Sequence, residues 1–566
     1  MLSSPPETVH EFVELSWPEI EPYFTELAVF RLKHENVQEW LAGWSRLREL
    51  VEETRNRLSV ATTLNTADEQ AERRYHTFLQ EIFERAEAAD QTLKTGLLDS
   101  GLEPENFEVP LRNLRAEAAL FREANLPLLT EERKLVTEHD KLVGAQTVEW
   151  EGREVTLPQL LPELQNPDRE VRERVWRLAA GRQLADREAI NVRWAKFLEL
   201  RRQLAANADC PDFRTFRWRQ LLRFEYSPAD CARFQRAIEA EVVPAAARIY
   251  EKRRRRLGLE ILRPWDLEVD SLGRPALRPY EAVAELEGRA AAIFRRVDPE
   301  LGAHFDRMRA ENLLDLDNRK NKAPGGYCTT FPRVRRPFIF MNAVGVHDDV
   351  QTLLHEAGHA FHVFETRRLP YLQQLEVGME MAEVASMGME LLAAPYLPEE
   401  EGGYYTPGDA ARARVQHLEG LLQFWPYMAV VDAFQHWVYE NHEAAFEPSN
   451  CDAKWAELWQ RFMIGVDWDG LEQEMRTGWQ RKLHIHQDPL YYVEYGLAQL
   501  GAVQIWRNSL RNHARAVARY RRALSLGGTA PLPQLYRAAG ARFAFDAQTL
   551  REAVSLIKGT IEDLEG

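Results

Sequence analysis

Leu353-Leu354-His355-Glu356-Ala357-Gly358-His359-Ala360-Phe361-His362 is the stretch on which the reading of the whole chain turns. It contains the pattern H-E-x-x-H. On a helix His355 and His359 stand at i and i+4, so both imidazoles leave one face. Two ring nitrogens can then meet a single zinc ion at about 2.0–2.1 Å each. Glu356 is turned by about 100° from His355. That offset removes it from the ligand plane and leaves it in reach of a water on the metal. Val350, Leu353, Leu354, Ala357 and Phe361 fall on the opposite face at i, i+3, i+4, i+7, the stripe of a buried helix. Asp348 is expected to cap the helix start, with Gln351 as its capping-box partner.

A catalytic zinc asks for three protein ligands and one open position. The longer pattern H-E-x-x-H-x-x-G-x-x-H would need glycine at position 362 and histidine at 365. The chain has His362 and Glu365 there, so that reading fails. His362 is read as a neighbour of the metal, because i+3 and i+4 on one helix do not both suit a tetrahedral ion. The next helical stretch, Leu375 to Met387, carries Glu376, Glu380 and Glu383, with Glu390 further on. Spacing alone does not choose a third ligand among Glu376, Glu380 and Glu383.

Upstream of the metal helix the texture changes. Asn318-Arg319-Lys320-Asn321-Lys322-Ala323-Pro324-Gly325-Gly326-Tyr327 is a polar loop, and Thr329 to Phe331 and Phe338 to Asn342 have strand character. They predict a small sheet over about 318–342, whose edge could take an extended peptide by strand addition. Gly325, Gly326 and Tyr327 are the candidates for holding that peptide; a purely structural turn is the competing reading. Residues from about 10 to 205 read as helix almost throughout. Tyr75, Phe78, Leu79, Ile82, Phe83 and Ala86 mark one buried face, and Thr66 with Glu69 reads as its capping box. His10, His34, His76 and His139 are isolated and form no metal-spaced pair. Ser227-Pro228 opens a helix expected over 229–256, ending in the basic run Lys252 to Arg256, read as a solvated helix end. Gly258 to Pro279 reads as an irregular connection. The expected division is an N-terminal helical lobe over 1–200 and a catalytic region over 201–566, with metal helices over 349–393.

The 566 residues carry a net charge of −16, and 45% of them are hydrophobic and 28% charged. That balance argues for a soluble globular protein and against a general nucleic-acid binder. Cys210, Cys231, Cys328 and Cys451 are far apart and form no C-x-x-C, which points to a reducing compartment rather than a disulfide scaffold. No basic and apolar leader and no run of about 18 apolar residues is visible, so a cytoplasmic protein without membrane contact is expected.

A second dense patch lies near the C-terminus, over 484–496: His484-Ile485-His486-Gln487-Asp488-Pro489-Leu490-Tyr491-Tyr492-Val493-Glu494-Tyr495-Gly496. On a helix Tyr491 or Tyr492 would share a face with Tyr495. An aromatic core stripe is the plain reading of this density.

H-E-x-G-H followed by Ala382-Glu383-Val384-Ala385-Ser386, and then by a histidine with clustered tyrosines, resembles the thimet oligopeptidase and oligoendopeptidase F family of zinc peptidases. PLYYVEYGLAQLGA is most similar to its Pz-peptidase-like branch. The resemblance covers about 315–500 by motif. It implies one Zn2+ per chain on His355, His359 and Glu383, with Glu356 as general base. Glu380, one turn before Glu383, is the candidate carboxylate for orienting a ligand histidine, with a plain surface role as the competing reading. The resemblance implies that His484, Tyr492 and Tyr495 stabilise the transition state and that Tyr491 and His486 bind substrate. The tyrosine spacing departs from better-known members by about a residue, so either Tyr492 or Tyr495 could be the oxyanion donor. The implied architecture is mainly α, two helical lobes around a deep substrate channel with a small β-sheet beside the zinc helix, and the implied activity is endopeptidase action on short unstructured oligopeptides. A peptide carrier without turnover is one alternative. A zinc aminopeptidase is the other, but its G-x-M-E-N motif lies upstream of the zinc helix, whereas Gly378-Met379-Glu380-Met381 lies downstream and lacks the asparagine.

Overall fold

The structure is a computed structural model and describes residues 4–319, 321–323 and 325–566; Lys320 and Pro324 of the polar loop lie outside the described residues. The chain is mainly helical and forms two compact units, each assembled from three separated segments. One unit holds Met1–Ala119, Arg278–Ala410 and Ala498–Phe543; the other holds Leu120–Leu277, Ala411–Leu497 and Ala544–Gly566. These units cut the chain differently from a division near residue 200, because segments distant in sequence share each core.

In the first unit a 28-residue helix α1 (Val37–Leu64) buries Trp40, Leu41, Trp44, Leu47, Leu50 and Val51. Phe78, Ile82, Phe83 and Ala86 pack into the same core, as their periodicity predicts. Their helix starts differently from expectation. Asp68 caps it, accepting from the N–H groups of Gln70 and Ala71, while the Thr66 hydroxyl donates to the Asn321 carbonyl. The carboxylate wins because an ionised acceptor at a helix N-terminus binds exposed amides more strongly than a hydroxyl does.

The predicted sheet forms, and it gains a strand. Its order is β1 (Leu314–Asp317), β3 (Arg336–Ala343), β2 (Tyr327–Phe331), with β1 parallel and β2 antiparallel to β3. Phe338, Ile339, Phe340 and Met341 are all buried, as a strand covered on both faces requires. β2 is an edge, paired from Tyr327↔Phe340 to Phe331↔Arg336. Part of that edge is taken: Asn56 on α1 donates to the Thr330 carbonyl at 2.8 Å.

Helix α2 (His347–Thr366) lies on this sheet and on α3 (Met379–Ala393). Asp349, not Asp348, anchors its start. Its carboxylate accepts the N–H groups of Val344, Gly345 and Val346 at 2.8–2.9 Å and the Tyr280 hydroxyl. The helix begins one residue before the expected cap, so Asp349 occupies the third helical position and reaches back over the turn. Helix α4 (His513–Ser525) packs on α2 and α3, and its Tyr520 hydroxyl donates to the Ala385 carbonyl at 2.6 Å.

In the second unit the helix expected over 229–256 is two, Pro228–Glu241 and Val243–Arg256, because Pro244 cannot supply an interior amide. The long helix Pro407–Glu440 runs through its core, where Trp425, Phe434, Trp455 and Trp479 are fully buried. Among the described residues no helix is long and apolar enough to cross a membrane.

Candidate functional site

The H-E-x-x-H helix forms where its pattern puts it. Val350, Leu353, Leu354, Ala357 and Phe361 are completely buried, which fixes the rotation of α2 and turns His355 and His359 to the other side. Facing them is α3. The two helices touch at Gly358, where an added Cβ would lie 2.4 Å from the Ala385 carbonyl oxygen and 2.5 Å from the Ser386 Cα. This approach brings Glu383 against both imidazoles. Its Oε2 lies 3.3 Å from His355 Nε2 and 3.7 Å from His359 Nε2. The three ligand atoms all lie within 4.8 Å of one another. Tetrahedral ligands at about 2.0–2.1 Å from one ion stand about 3.3 Å apart, so this donor set fits a zinc-sized cation. Glu376 and Glu380 do not join the cluster.

Two partners hold the donors in place. Ser386 donates its hydroxyl to Glu383 Oε2 at 2.9 Å, which gives the serine of the E-x-x-S pattern a mechanical reason. Glu390 Oε1 lies 2.6 Å from His355 Nδ1 and so fixes which nitrogen of that ring faces the cluster. This contact was expected of Glu380. Glu390 takes it because it stands seven residues, two helical turns, beyond Glu383 on the same face of α3.

The electrostatics follow from burial and these pairs. Burial opposes charge on His355, but Glu383 and Glu390 hold its pKa well above the usual imidazole value. Burial would raise Glu383, yet His359, His355 and Ser386 bring it down to about 2. Burial draws His359 down to about 4. Glu356 is pushed by burial to about 7, with Glu383 and Glu390 adding to the shift against the pull of His355. A carboxyl poised there accepts and releases protons readily at neutral pH. His362 is buried and outside the ligand cluster.

Next to this cluster, Gly325 has φ +92° and Gly326 sits close under α2, where a Cβ would come within 3.3 Å of Thr352. Asn342 donates to the Gly325 carbonyl at 3.0 Å. Tyr327 points its hydroxyl at Thr63 on α1, 2.6 Å away, and stacks on Phe340, so its side chain serves the sheet.

The His/Tyr segment belongs to the second unit. Its helix starts only at Val493, after Leu490 at φ +64°, so Tyr491 and Tyr492 precede the helix that carries Tyr495. The rings still gather. His484 Nε2 lies 3.4 Å from the Tyr495 hydroxyl, and Tyr491 and Tyr495 are 5.2 Å apart between ring centres. His484, Tyr491 and Tyr495 are half-buried, whereas Tyr492 is buried between Phe424, Tyr427 and His484 with the Lys482 ammonium 4.4 Å above its ring. His486 departs from its expected role of binding substrate. Its ring is fully enclosed, stacked on His139 at 4.3 Å and boxed by Trp194 and Trp479. Two buried arginines, unmarked by any motif, brace the segment: Arg201 donates to the His486 carbonyl, and Arg223 pairs with Glu494 and donates to the Leu490 carbonyl.

The model of peptidase family M3 matches residues 163–555. A solved structure of Pz peptidase A with an inhibitor is similar at 28% identity, covering 100% of this chain and 98% of its own, with a TM-score of 0.89. A protein solved under the name oligoendopeptidase F is similar at 27% identity over 96% of each chain, TM-score 0.89. A third, an oligoendopeptidase F from Bacillus anthracis, shares the fold at 22% identity and a TM-score of 0.85 over 97% of each chain. No curated protein matches the chain.

Proposed function

The chain belongs to peptidase family M3 and is a metalloendopeptidase, and from that premise we propose that it is a zinc enzyme cleaving internal bonds of short, unstructured oligopeptides in the cytoplasm. The observation that carries this reading is the convergence of His355 Nε2 and His359 Nε2 on one oxygen of Glu383, at 3.3 and 3.7 Å. These three side chains would hold one Zn2+. Bound there, zinc supplies Lewis acidity to a water and to the scissile carbonyl.

The remaining work falls to the chain's own groups. Glu390 keeps His355 Nδ1 engaged, so that Nε2 is free to ligate. Glu356 accepts the proton of the attacking water on its carboxylate and returns it to the nitrogen of the departing amine. Its burial favours the protonated form midway through this exchange. Tyr495, with His484 beside it, donates to the carbonyl oxygen as negative charge gathers there. We choose Tyr495 over Tyr492 because its hydroxyl is next to His484, while the Tyr492 ring is enclosed. The edge of β2 and the Gly325-Gly326 backbone hold the peptide in extended form.

The test is Glu356→Gln with a quenched fluorescent peptide blocked at both ends. Zinc content should stay at the wild-type level while turnover falls by about 10²–10⁴-fold. Cleavage of a blocked peptide separates an endopeptidase from an aminopeptidase, and turnover separates either from a carrier. A Glu356→Gln enzyme that cleaves at the wild-type rate would overturn the assignment.

A further inference from the structure

The second unit contains another set of metal-compatible side chains, remote in sequence from the H-E-x-x-H helix. Asp432 and His436 stand at i and i+4 on the helix Pro407–Glu440, and Cys231 stands on Pro228–Glu241. One ligand atom from each lies within 4.8 Å of the other two. His436 Nε2 is 3.6 Å from Asp432 Oδ1. All three residues are buried: Cys231 is 0% exposed, Asp432 1% and His436 8%.

Two of these atoms lack a partner. Asp432 Oδ1 and His436 Nε2 find no hydrogen-bond donor or acceptor. Buried polar atoms are rarely left so, and each instance calls for an explanation. The other oxygen of Asp432 accepts from Gln235 Nε2 at 2.7 Å. That contact orients the carboxylate and presents Oδ1 to the cluster, much as an outer carboxylate or amide orients a ligand. Trp218 covers His436 with ring centres 5.9 Å apart. From these placements we propose that Cys231, Asp432 and His436 bind a second divalent ion, zinc, in the core of the second unit.

Charge and softness favour this ion. The Cys231 thiol loses its proton to solvent on binding and ligates as thiolate, the carboxylate is the second anion, and the imidazole is neutral. Two negative ligands neutralise one divalent cation, so the buried site carries no net charge. Sulfur with nitrogen selects a borderline-soft metal over calcium or magnesium. The 3.6 Å separation of Oδ1 and Nε2 is near the edge of a tetrahedron around zinc. The site would also steady what hangs from it. Gln435, the residue before His436, accepts the Leu490 amide at 2.6 Å and so holds the strained residue that introduces Tyr491.

The experiment uses the full chain purified in metal-free buffer and reloaded with zinc or cobalt. Metal analysis should give two zinc ions per wild-type chain and one in Cys231→Ser and in His359→Ala. Cobalt distinguishes the sites independently, since His355, His359 and Glu383 contain no sulfur. A thiolate-to-cobalt charge-transfer band in the near ultraviolet should appear in wild type and in His359→Ala, persist in Cys328→Ser, and vanish in Cys231→Ser. One zinc per wild-type chain with no such band overturns the proposal; a band that survives Cys231→Ser also overturns it. The wild-type spectrum decides even where Cys231→Ser does not fold, with Asp432→Asn as the second variant. Loss of the peptidase site alone removes the His359-dependent ion and leaves the band in place.

Discussion

Gly358→Ala tests whether the crossing of α2 and α3 builds the metal site. Judged on the helix alone the change should help, because alanine is the better helix former by about 1 kcal/mol. The crossing reverses this. The new Cβ would sit 2.4 Å from the Ala385 carbonyl oxygen, 2.5 Å from the Ser386 Cα and 2.8 Å from the Ala385 carbonyl carbon. Comfortable contact begins near 3.5 Å, so the helices must part by about 1 Å. The neighbours are backbone atoms, which cannot rotate away as a flexible side chain would. Overpacking of this kind costs about 1–3 kcal/mol, which cancels or exceeds the propensity gain. The ligand set suffers more than the fold. Glu383 lies two residues from the contact, and metal–ligand distances tolerate only about 0.2 Å. Zinc affinity measured by chelator competition should therefore fall by far more than urea unfolding of the metal-free protein indicates. A variant that is more stable by about 1 kcal/mol and binds zinc as wild type does would refute the reasoning.

Glu390→Gln should weaken zinc about 10–100-fold, since an amide orients His355 Nδ1 less firmly than the carboxylate 2.6 Å away; chelator competition measures it. Tyr495→Phe should lower kcat while leaving KM and zinc content nearly unchanged, whereas Tyr492→Phe should chiefly lower the melting temperature; equal kinetic losses would remove the distinction between the two rings. Burial and nearby Arg193 draw His139 down to about 4, and burial with His139 draws His486 well below the usual value. The unfolded chain therefore binds more protons between about pH 6.5 and 4, so stability present above 6.5 is lost as pH falls through that window. The slope approaches about 1.4 kcal/mol per pH unit for each ring. Urea unfolding across this range should show that slope, and His139→Phe should reduce it.

What the sequence reveals of this site depends on how far each contact reaches along the chain. The i, i+4 histidines and the Val350–Phe361 stripe are local, so helical periodicity exposes them. Glu383 needed a resemblance, because three acids on one helix are alike until a partner selects one. Glu390 was noted but given no role although it shares a face with Glu383, since its contact with His355 spans 35 residues. Asp349 was mistaken for its neighbour Asp348 because a one-residue shift in the helix start exchanges their roles. Pro244 carried the signal for a break in the helix expected over 229–256, and the single-helix expectation overlooked it. His486 looked like a substrate ligand until Trp194, Trp479 and His139, all distant in sequence, enclosed it.

The order of synthesis gives the three-segment construction of each unit a cost. Leaving the ribosome, His355, His359 and Glu383 emerge more than a hundred residues ahead of Tyr520, whose hydroxyl secures the Ala385 carbonyl between the two metal helices. The nascent H-E-x-x-H region must wait, incompletely packed, while the Ala411–Leu497 segment of the other unit is translated. No contiguous fragment ending before about residue 543 contains a finished first unit. Truncations or permuted chains that separate residues 498–543 from the rest should therefore yield aggregating material rather than an isolated working half.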